Sequence, residues 1–414
     1  MKVYLVGGAV RDEIMGREVH DRDYVVVGST HQEMIDQGFT RVGASFPVYL
    51  HPVTKEEYAL ARTERRTGDG HRGFETFFDP TVTLEEDLAR RDLTINAIAK
   101  DLATGYFIDP FDGIEDIMNK HFCATTEAFE EDPLRILRLF RFMSQFGPDW
   151  RVSVGTKTRV EKNISRLAEI TPERKWKEFQ KALESEHPEI FIEQMVFAGQ
   201  LPAVEALRGV PQPAEHHPEG DAYEHTMLCI KAAARNGLEP DQVFAMMCHD
   251  LGKAITFRER GNLHGHEAAG LEPTRQLCDE FKVPNHYRKL ALTVTEVHGK
   301  IHASETLKPS TLFELLKKMD VEKRDGFFDK VVDCALMDSW GRGPTRYGEK
   351  YLPAIFLRFL AMRQYCSSEL SEKARAIADK HKGNGDLIRE LVRAEKIQIV
   401  RTGIHEWNKR KGVL

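Results

Sequence analysis

Over the first hundred or so residues the apolar positions fall in short runs broken by glycine and polar turns, a pattern that predicts strands. Val3–Val6 ends at Gly7-Gly8, and Val10–Met15 suits a short helix. Tyr24–Val27 is a buried-strand run closed by Gly28, and Phe46–Leu50, Glu57–Ala61 and Tyr106–Asp109 add three more. Between them the segment from Thr67 to Gly73 has the composition of a loop. After about Glu127 helical periodicity takes over and runs to Trp407. It is punctuated by Pro172, Pro188, Pro202, Pro211-Gln212-Pro213, Pro284, Pro309 and Pro344. The expectation is a mixed α/β head followed by a long helical remainder, with Pro202 to Pro218 as the best linker candidate.

Length and composition narrow this picture. A chain of 414 residues calls for two to four domains. With 41% hydrophobic and 30% charged residues it reads as globular, not disordered. No apolar run reaches the roughly 18 residues of a membrane span, and the N-terminus lacks a signal-type cleavage site, so a cytoplasmic protein is expected. Six cysteines are scattered without a CxxC pair, which predicts reduced thiols. A net charge of −6 argues against indiscriminate nucleic-acid binding, although a local basic groove remains compatible with it. The stretch from Glu369 to Leu414 does carry eleven Lys or Arg against seven Asp or Glu.

The chemistry begins at Asp21-Arg22-Asp23, directly before the strand run. At strand period both carboxylates point to one face, about 6–7 Å apart, a spacing that lets both reach divalent cations. Mg²⁺ prefers one or two carboxylates plus substrate phosphate oxygens, so a nucleoside triphosphate would complete the site. Upstream, the Gly7-Gly8 turn lets backbone approach a phosphate, and Arg11 offers a charge-assisted contact. Further on, Asp132, Arg135, Arg138 and Arg141 recur every three residues along one side of a helix, opposite Leu134, Leu137 and Phe140. A carboxylate with a guanidinium can pair with a base edge as a complementary base does.

Gly7-Gly8-Ala9-Val10-Arg11-Asp12 with Asp21-Arg22-Asp23 resembles the first motif of the class II nucleotidyltransferases, part of the DNA polymerase β-like superfamily. Bacterial and eukaryotic CCA-adding enzymes and bacterial poly(A) polymerases belong to that group. Arg90-Arg91-Asp92-Leu93-Thr94-Ile95-Asn96-Ala97 is similar to its RRDxTxNA motif, and Glu131-Asp132-Pro133-Leu134-Arg135-Ile136-Leu137-Arg138 to its EDxxRxxR motif. The resemblance implies that Asp21 and Asp23 are catalytic and bind Mg²⁺. Gly8, Arg11 and Arg91 would hold triphosphate and sugar, Asp132 and Arg135 would read the base edge with Arg138 and Arg141 beside them, and Glu131 would orient Arg135. A third carboxylate would come from the strand around Glu56 and Glu57. The loop Thr67 to Asp79, with Arg72 and Phe74, favours complete CCA addition over addition of CC alone.

In the second half, His225 opens a helix, and the apolar run Phe244–Cys248 ends in His249-Asp250-Leu251-Gly252-Lys253. Imidazole nitrogens and carboxylate oxygens together make a site suited to divalent metal ions with positions left for a phosphate. This pattern resembles the HD phosphohydrolase superfamily, which implies a metal set of His225, His249, Asp250 and Asp338 holding Ni²⁺ or Mn²⁺. His264, His266, Glu267 and His298 are further candidates, although His298 is followed by Gly299 where many two-metal HD proteins have aspartate.

Together these resemblances imply an α+β protein of four parts: a nucleotidyltransferase head (1–126), a helical neck (127–205), an HD-type body (206–362) and a helical tail (363–414), elongated in outline. The implied function is addition and repair of the 3′-terminal CCA of tRNA from CTP and ATP, joined to phosphatase or 2′,3′-cyclic phosphodiesterase activity. The chain would act as monomer or homodimer without a membrane partner. Two alternatives are a poly(A) polymerase and a nucleotide-sensing regulator in which only the HD part is active.

Overall fold

The structure is a computed structural model that describes residues 1–19, 21–42, 48–66, 74–323, 325–343, 350–365 and 368–410. It divides into two compact units, Met1–Phe179 and Gln180–Leu414. The fold is α+β, with the sheet at the N-terminus and helices throughout most of the rest.

Seven strands of the first unit form one sheet. In chain order they are β1 (Lys2–Val6), β2 (Asp23–Val27), β3 (Thr40–Val42), β4 (Val48–Leu50) and β5 (Glu57–Leu60), then, after a separate hairpin of β6 (Thr63–Arg66) and β7 (Phe74–Phe77), β8 (Ala99–Asp101) and β9 (Phe107–Ile108). The spatial order is β3-β4-β5-β2-β1-β8-β9. The β2–β5 pair is parallel and the other neighbours in the sheet are antiparallel.

Side chains of β2 explain why three successive residues, Tyr24, Val25 and Val26, are all buried. Successive strand residues face opposite sides of a sheet. Val25 packs with Val6, Leu88 and Ala97 on one side, whereas Val26 packs with Met34, Tyr49 and Leu60 on the other. A sheet covered on both faces reads as a continuous apolar run instead of an alternating one. The expected strand 46–50 is seen from Val48; residues 46 and 47 lie outside the described residues, as do 67–73 of the expected loop, with Arg72, and Pro344. Of the Asp21-Arg22-Asp23 motif, only Asp23 belongs to a strand.

The second unit is helical. Its pivotal elements are Ala222–Arg235, Pro240–Cys248, Gly252–Arg260, Asn285–His302 and Phe327–Trp340. The segment from Pro202 to Pro218, expected as a linker, falls inside this unit. Leu201, Val204, Leu207 and Val210 recur every three residues and are buried, and Pro211 bridges to Asp221. At the C-terminal end, the 26-residue helix Gly385–Arg410 buries Trp407 beside Phe356 and Phe359. Among the described residues no helix is long and apolar enough to cross a membrane.

Candidate functional site

In the head, sheet register gathers residues that the sequence keeps apart. Val6, the last residue of β1, pairs with Asp23, and Asp23 pairs with Glu57 across the parallel step. The Gly7 turn, Asp23 and Glu57 therefore share one end of three adjacent strands. Registered partners in a parallel pair point to the same face. The next pair, Tyr24 and Tyr58, stacks on the opposite face with ring centroids 4.4 Å apart. Asp21, Asp23 and Glu57 are all exposed. Glu56 is turned away, its carboxylate accepting a hydrogen bond from the Tyr24 hydroxyl at 3.2 Å, so Glu57 is the carboxylate beside Asp23.

The turn itself needs glycine. Gly7 has φ 73°, and a Cβ there would lie 2.9 Å from Arg91 Nη1. Helix Gly8–Ile14 starts at once, and Arg11 on its first turn is buried. Its guanidinium donates to Asp12 at 2.9 Å and to Asn96 Oδ1 at 2.6 Å, and it lies over the Phe142 and Phe146 rings. Arg11, expected on the triphosphate, is buried here against Asp12 and Asn96, and Gly8 begins the helix.

The Arg90-Arg91-Asp92 segment is organised by two buried carboxylates. Asp87, fully buried, pairs with Arg90 at 2.9 Å and Arg91 at 3.2 Å. Burial opposes its charge, yet the two guanidinium groups hold it below the ordinary carboxylate range. Asp92 accepts from Arg138 Nε at 2.7 Å, Asn96 Nδ2 at 2.9 Å and the Leu93 amide at 2.9 Å. Burial again opposes the charge; Arg138 and Asn96 overcome it and hold this carboxyl well below its usual value. Asn96 passes the contact on to Arg11, so the chain Arg11–Asn96–Asp92–Arg138 ties the glycine turn to helix Leu134–Phe146.

That helix and the two residues before it carry the remaining expected residues. Leu137 and Phe140 are buried on one flank. On the other, Arg141 donates to Glu178 at 2.6 Å and lies over Phe142. Asp132 meets Arg174 at 2.7 Å, and Arg135 reaches the Ala128 carbonyl. Sequence reasoning gave no role to Asp92, Asn96, Arg174 or Glu178. Spacing offered a signal for two pairs, since Asp92 and Asn96, like Arg174 and Glu178, stand four residues apart.

In the second unit the structure brings His225, His249, Asp250 and Asp338 together, all buried. Asp221 caps helix Ala222–Arg235 by accepting from the Tyr223 and Glu224 amides, which places His225 one turn inside. His225 Nε2 lies 3.0 Å from Asp338 Oδ1 and 3.7 Å from Asp250 Oδ2; His249 Nε2 lies 3.1 Å from Asp250 Oδ2. His266 and His298 approach the other Asp250 oxygen at 3.3 and 3.4 Å, and His302 meets Asp338 at 2.6 Å. Glu219, His217, Cys229 and His302 were not singled out from the sequence.

Hydrogen bonds at the far side of each ring fix its tautomer. A carbonyl only accepts, so the ring nitrogen facing it must carry the proton. His249 Nδ1 faces the Met246 carbonyl at 2.7 Å, His266 Nδ1 that of Leu263 at 2.9 Å, and His298 Nδ1 that of Val294 at 3.1 Å. His225 Nδ1 faces the Glu219 carboxylate at 2.8 Å. Four Nε2 lone pairs consequently converge on Asp250 and Asp338, two of them, on His266 and His298, only 3.1 Å from each other.

Lone pairs at these distances repel unless a cation stands between them. A proton serves: Asp250 raises His249 to about 10 against the lowering effect of burial. A divalent metal ion serves as well. Nitrogen and carboxylate donors suit borderline ions, and the buried Asp250 carboxylate already draws the Lys253 ammonium to Oδ2 at 2.5 Å. A cavity of about 330 Å³ opens onto the cluster, lined among others by Lys253, Glu267, His298, His302 and Arg342. The carboxylate of Glu267 fills the space beside Gly299, where a Cβ would lie 2.4 Å from its Oε1.

A two-sided sheet with a Gly-Gly turn, carboxylates at adjoining strand ends and a neighbouring arginine helix defines the first unit as a polymerase-type nucleotidyltransferase head. Comparison agrees: residues 3–123 match the family described as the Poly A polymerase head domain, and residues 152–204 match the probable RNA and SrmB-binding site of polymerase A. The multifunctional CCA protein of Acinetobacter baumannii is 45% identical over 350 residues, covering 83% of this chain and 85% of that protein. That of Mannheimia succiniciproducens is 44% identical over 373 residues, covering 86% and 89%. The chain belongs to the multifunctional CCA protein family. Its fold is shared with the Bacillus stearothermophilus CCA-adding enzyme in complex with CTP (TM-score 0.62, 22% identity, 99% of this chain and 94% of that one). It is shared too with the Thermotoga maritima CCA-adding enzyme complexed with tRNA (TM-score 0.61, 18% identity, 98% and 91%).

The Asp92 network generates a stability prediction. Asp92→Asn removes a charge-assisted bond to Arg138 and should lower unfolding stability by about 2 kcal/mol at neutral pH. A carboxyl depressed in the folded state stabilises above its unfolded value, about 3.9, and loses that contribution as pH falls toward the folded value. Urea titrations should therefore show the gap between wild type and Asp92→Asn narrowing below about pH 4. A gap that does not change with pH would remove Asp92 from this role.

Proposed function

We propose that the first unit adds and repairs the 3′-terminal CCA of tRNA, using CTP and ATP. The observation that carries this reading is the register that sets Asp23, two residues after Asp21, and Glu57 at neighbouring strand ends beside the Gly7-Gly8 turn, in a chain of this family. The three carboxylates would hold Mg²⁺, for which oxygen donors of this kind are the ordinary ligands. When bound, the metal would activate the tRNA 3′-hydroxyl and neutralise charge on the leaving pyrophosphate. Gly8 would let backbone approach the triphosphate, with Arg91 beside the turn and Arg11 holding the turn in place from inside.

Nucleotide choice without a template would fall to Asp132 and Arg135, with Arg138 and Arg141 fixing the helix that presents them. The Asp92 and Glu178 contacts support that division, because each anchors one arginine at its Nε. The parts we infer are head (1–126), neck (127–205), body (206–362) and tail (363–414), the tail's excess of basic residues suiting it to tRNA.

For the body a second reading is favoured by the converging lone pairs. We infer a metal-dependent phosphohydrolase of HD type, acting on phosphate monoesters and 2′,3′-cyclic phosphates. His225, His249, Asp250 and Asp338 would hold a divalent ion such as Ni²⁺ or Mn²⁺, and Lys253 and Arg342 would draw the phosphate into the cavity. The ion would supply an activated water to attack phosphorus.

Asp21→Ala or Asp23→Ala should lower nucleotide addition to a tRNA lacking CCA by several orders of magnitude and leave hydrolysis intact. Extension at near-normal rates would remove these residues from the site. Asp132→Ala and Arg135→Ala should damage discrimination against UTP and GTP more than triphosphate affinity. Unchanged selectivity in competition assays would overturn the base-edge role, and long A-tails in place of a stop after CCA would favour a poly(A) polymerase. Finally, His249→Ala should abolish hydrolysis of cyclic and monoester phosphates while CCA addition persists, both measured on one preparation. Loss of neither activity would reduce the cluster to a structural contact.

A further inference from the structure

We propose that Cys229 is a sulfur ligand of the metal centre in the second unit, making it a mixed nitrogen, oxygen and sulfur site that takes Zn²⁺, Co²⁺ or Ni²⁺ in preference to Mg²⁺. The inference rests on the reading of that cluster as a metal centre and concerns a residue outside the histidine and aspartate pattern. Cys229 follows His225 by one helical turn, so both side chains leave helix Ala222–Arg235 on the same face. Its sulfur lies 3.4 Å from His225 Nε2. Donor atoms of His225, Cys229, His249 and Asp338 all lie within 4.8 Å of one another, and all four residues are buried. Ligands of one ion at ordinary bond lengths of about 2.0–2.3 Å stand roughly 3–4 Å apart, so with small side-chain adjustments these four can share an ion with Asp250, 3.7 Å from His225 Nε2, and leave a further position for water.

Two features separate a ligand from a mere small residue at a helix crossing. First, the neighbouring groups already point lone pairs inward. His225 commits Nδ1 to Glu219, and the buried His249 Nε2 faces the Asp250 carboxylate at 3.1 Å. The sulfur joins a convergence that calls for a cation on grounds independent of the thiol. Second, the sulfur is hemmed in, with the Asp338 carbonyl 4.0 Å away as a weak acceptor. A Cβ on Gly341, at the end of helix Phe327–Trp340, would lie 2.2 Å from Cys229 Sγ, so that helix end is pressed against the sulfur.

Soft thiolate favours zinc and late transition ions, whereas Mg²⁺ prefers oxygen and keeps its waters. Binding forms one metal–sulfur bond and releases the thiol proton to solvent, since the thiolate is the ligand. None of the other described cysteines belongs to this donor set.

The test uses full-length protein stripped with a chelator and titrated with Co²⁺. Wild type should develop visible d–d bands together with a near-ultraviolet sulfur-to-cobalt charge-transfer band. Cys229→Ser should keep the visible bands and lose the charge-transfer band, and His249→Ala should lose both. Visible bands that depend on His249 without any charge-transfer band in wild type would make Cys229 a packing residue and leave the metal centre standing. Cobalt spectra indifferent to His249→Ala would overturn the metal-centre reading, and the sulfur ligand with it. Should Cys229→Ser not fold, X-ray absorption on wild type loaded with one equivalent of Zn²⁺ decides: a sulfur shell at about 2.3 Å is expected, and a shell of nitrogen and oxygen alone refutes the proposal.

Discussion

The head depends on one buried carboxylate, that of Asp92. Taking a charge out of water is costly, and the cost is offset only when every acceptor position is filled. Arg138 fills one from helix Leu134–Phe146, while Asn96 and the Leu93 amide fill others from Asp92's own segment. Asn96, a neutral amide, then accepts from Arg11 with its oxygen while donating to Asp92 with its nitrogen. This relay lets a buried cation and a buried anion share one small side chain without meeting. The glycine turn, the arginine segment and helix Leu134–Phe146 are thereby held in one arrangement, and neutralising the carboxylate would loosen three elements at once.

A related economy organises the second unit. Its histidines do not need neighbouring side chains to settle which nitrogen carries the proton, because backbone carbonyls at Met246, Leu263 and Val294 do so for three of them. Those carbonyls belong to the helices or turns that carry the rings. Ring orientation is therefore inherited from secondary structure, and the lone pairs converge as a consequence of how the helices pack.

Much of this was legible in the chain. The Gly-Gly turn, the paired carboxylates and the arginine segment are short-range patterns, and the His-Asp pair announces itself by adjacency at the end of an apolar helix. What could not be read is whatever depends on register or on long-range pairing. Glu56 and Glu57 are indistinguishable until the parallel pairing of β2 with β5 puts Glu57 beside Asp23 and sends Glu56 to Tyr24. The bond from Arg11 to Asn96 spans 85 residues and leaves no local trace. The partnership of Asp132 with Arg174 spans 42 residues with no local trace. Cys229 carried no signal because a single thiol one turn from a histidine is common on any helix.

Gly252 shows how far a residue without chemistry can govern it. A Cβ there would fall 2.0 Å from the His266 carbonyl and 2.5 Å from the Gly270 amide, both backbone atoms that cannot rotate aside. The start of helix Gly252–Arg260 and the short helix His266–Ala269 therefore touch main chain to main chain. Any larger residue would have to push the second helix outward and would carry the His266 ring away from Asp250. The glycine in Leu251-Gly252-Lys253 thus acts as a spacer of zero thickness: its missing methyl group sets how closely two halves of the cluster can close, and an ångström of added width would be felt at every donor on the far side.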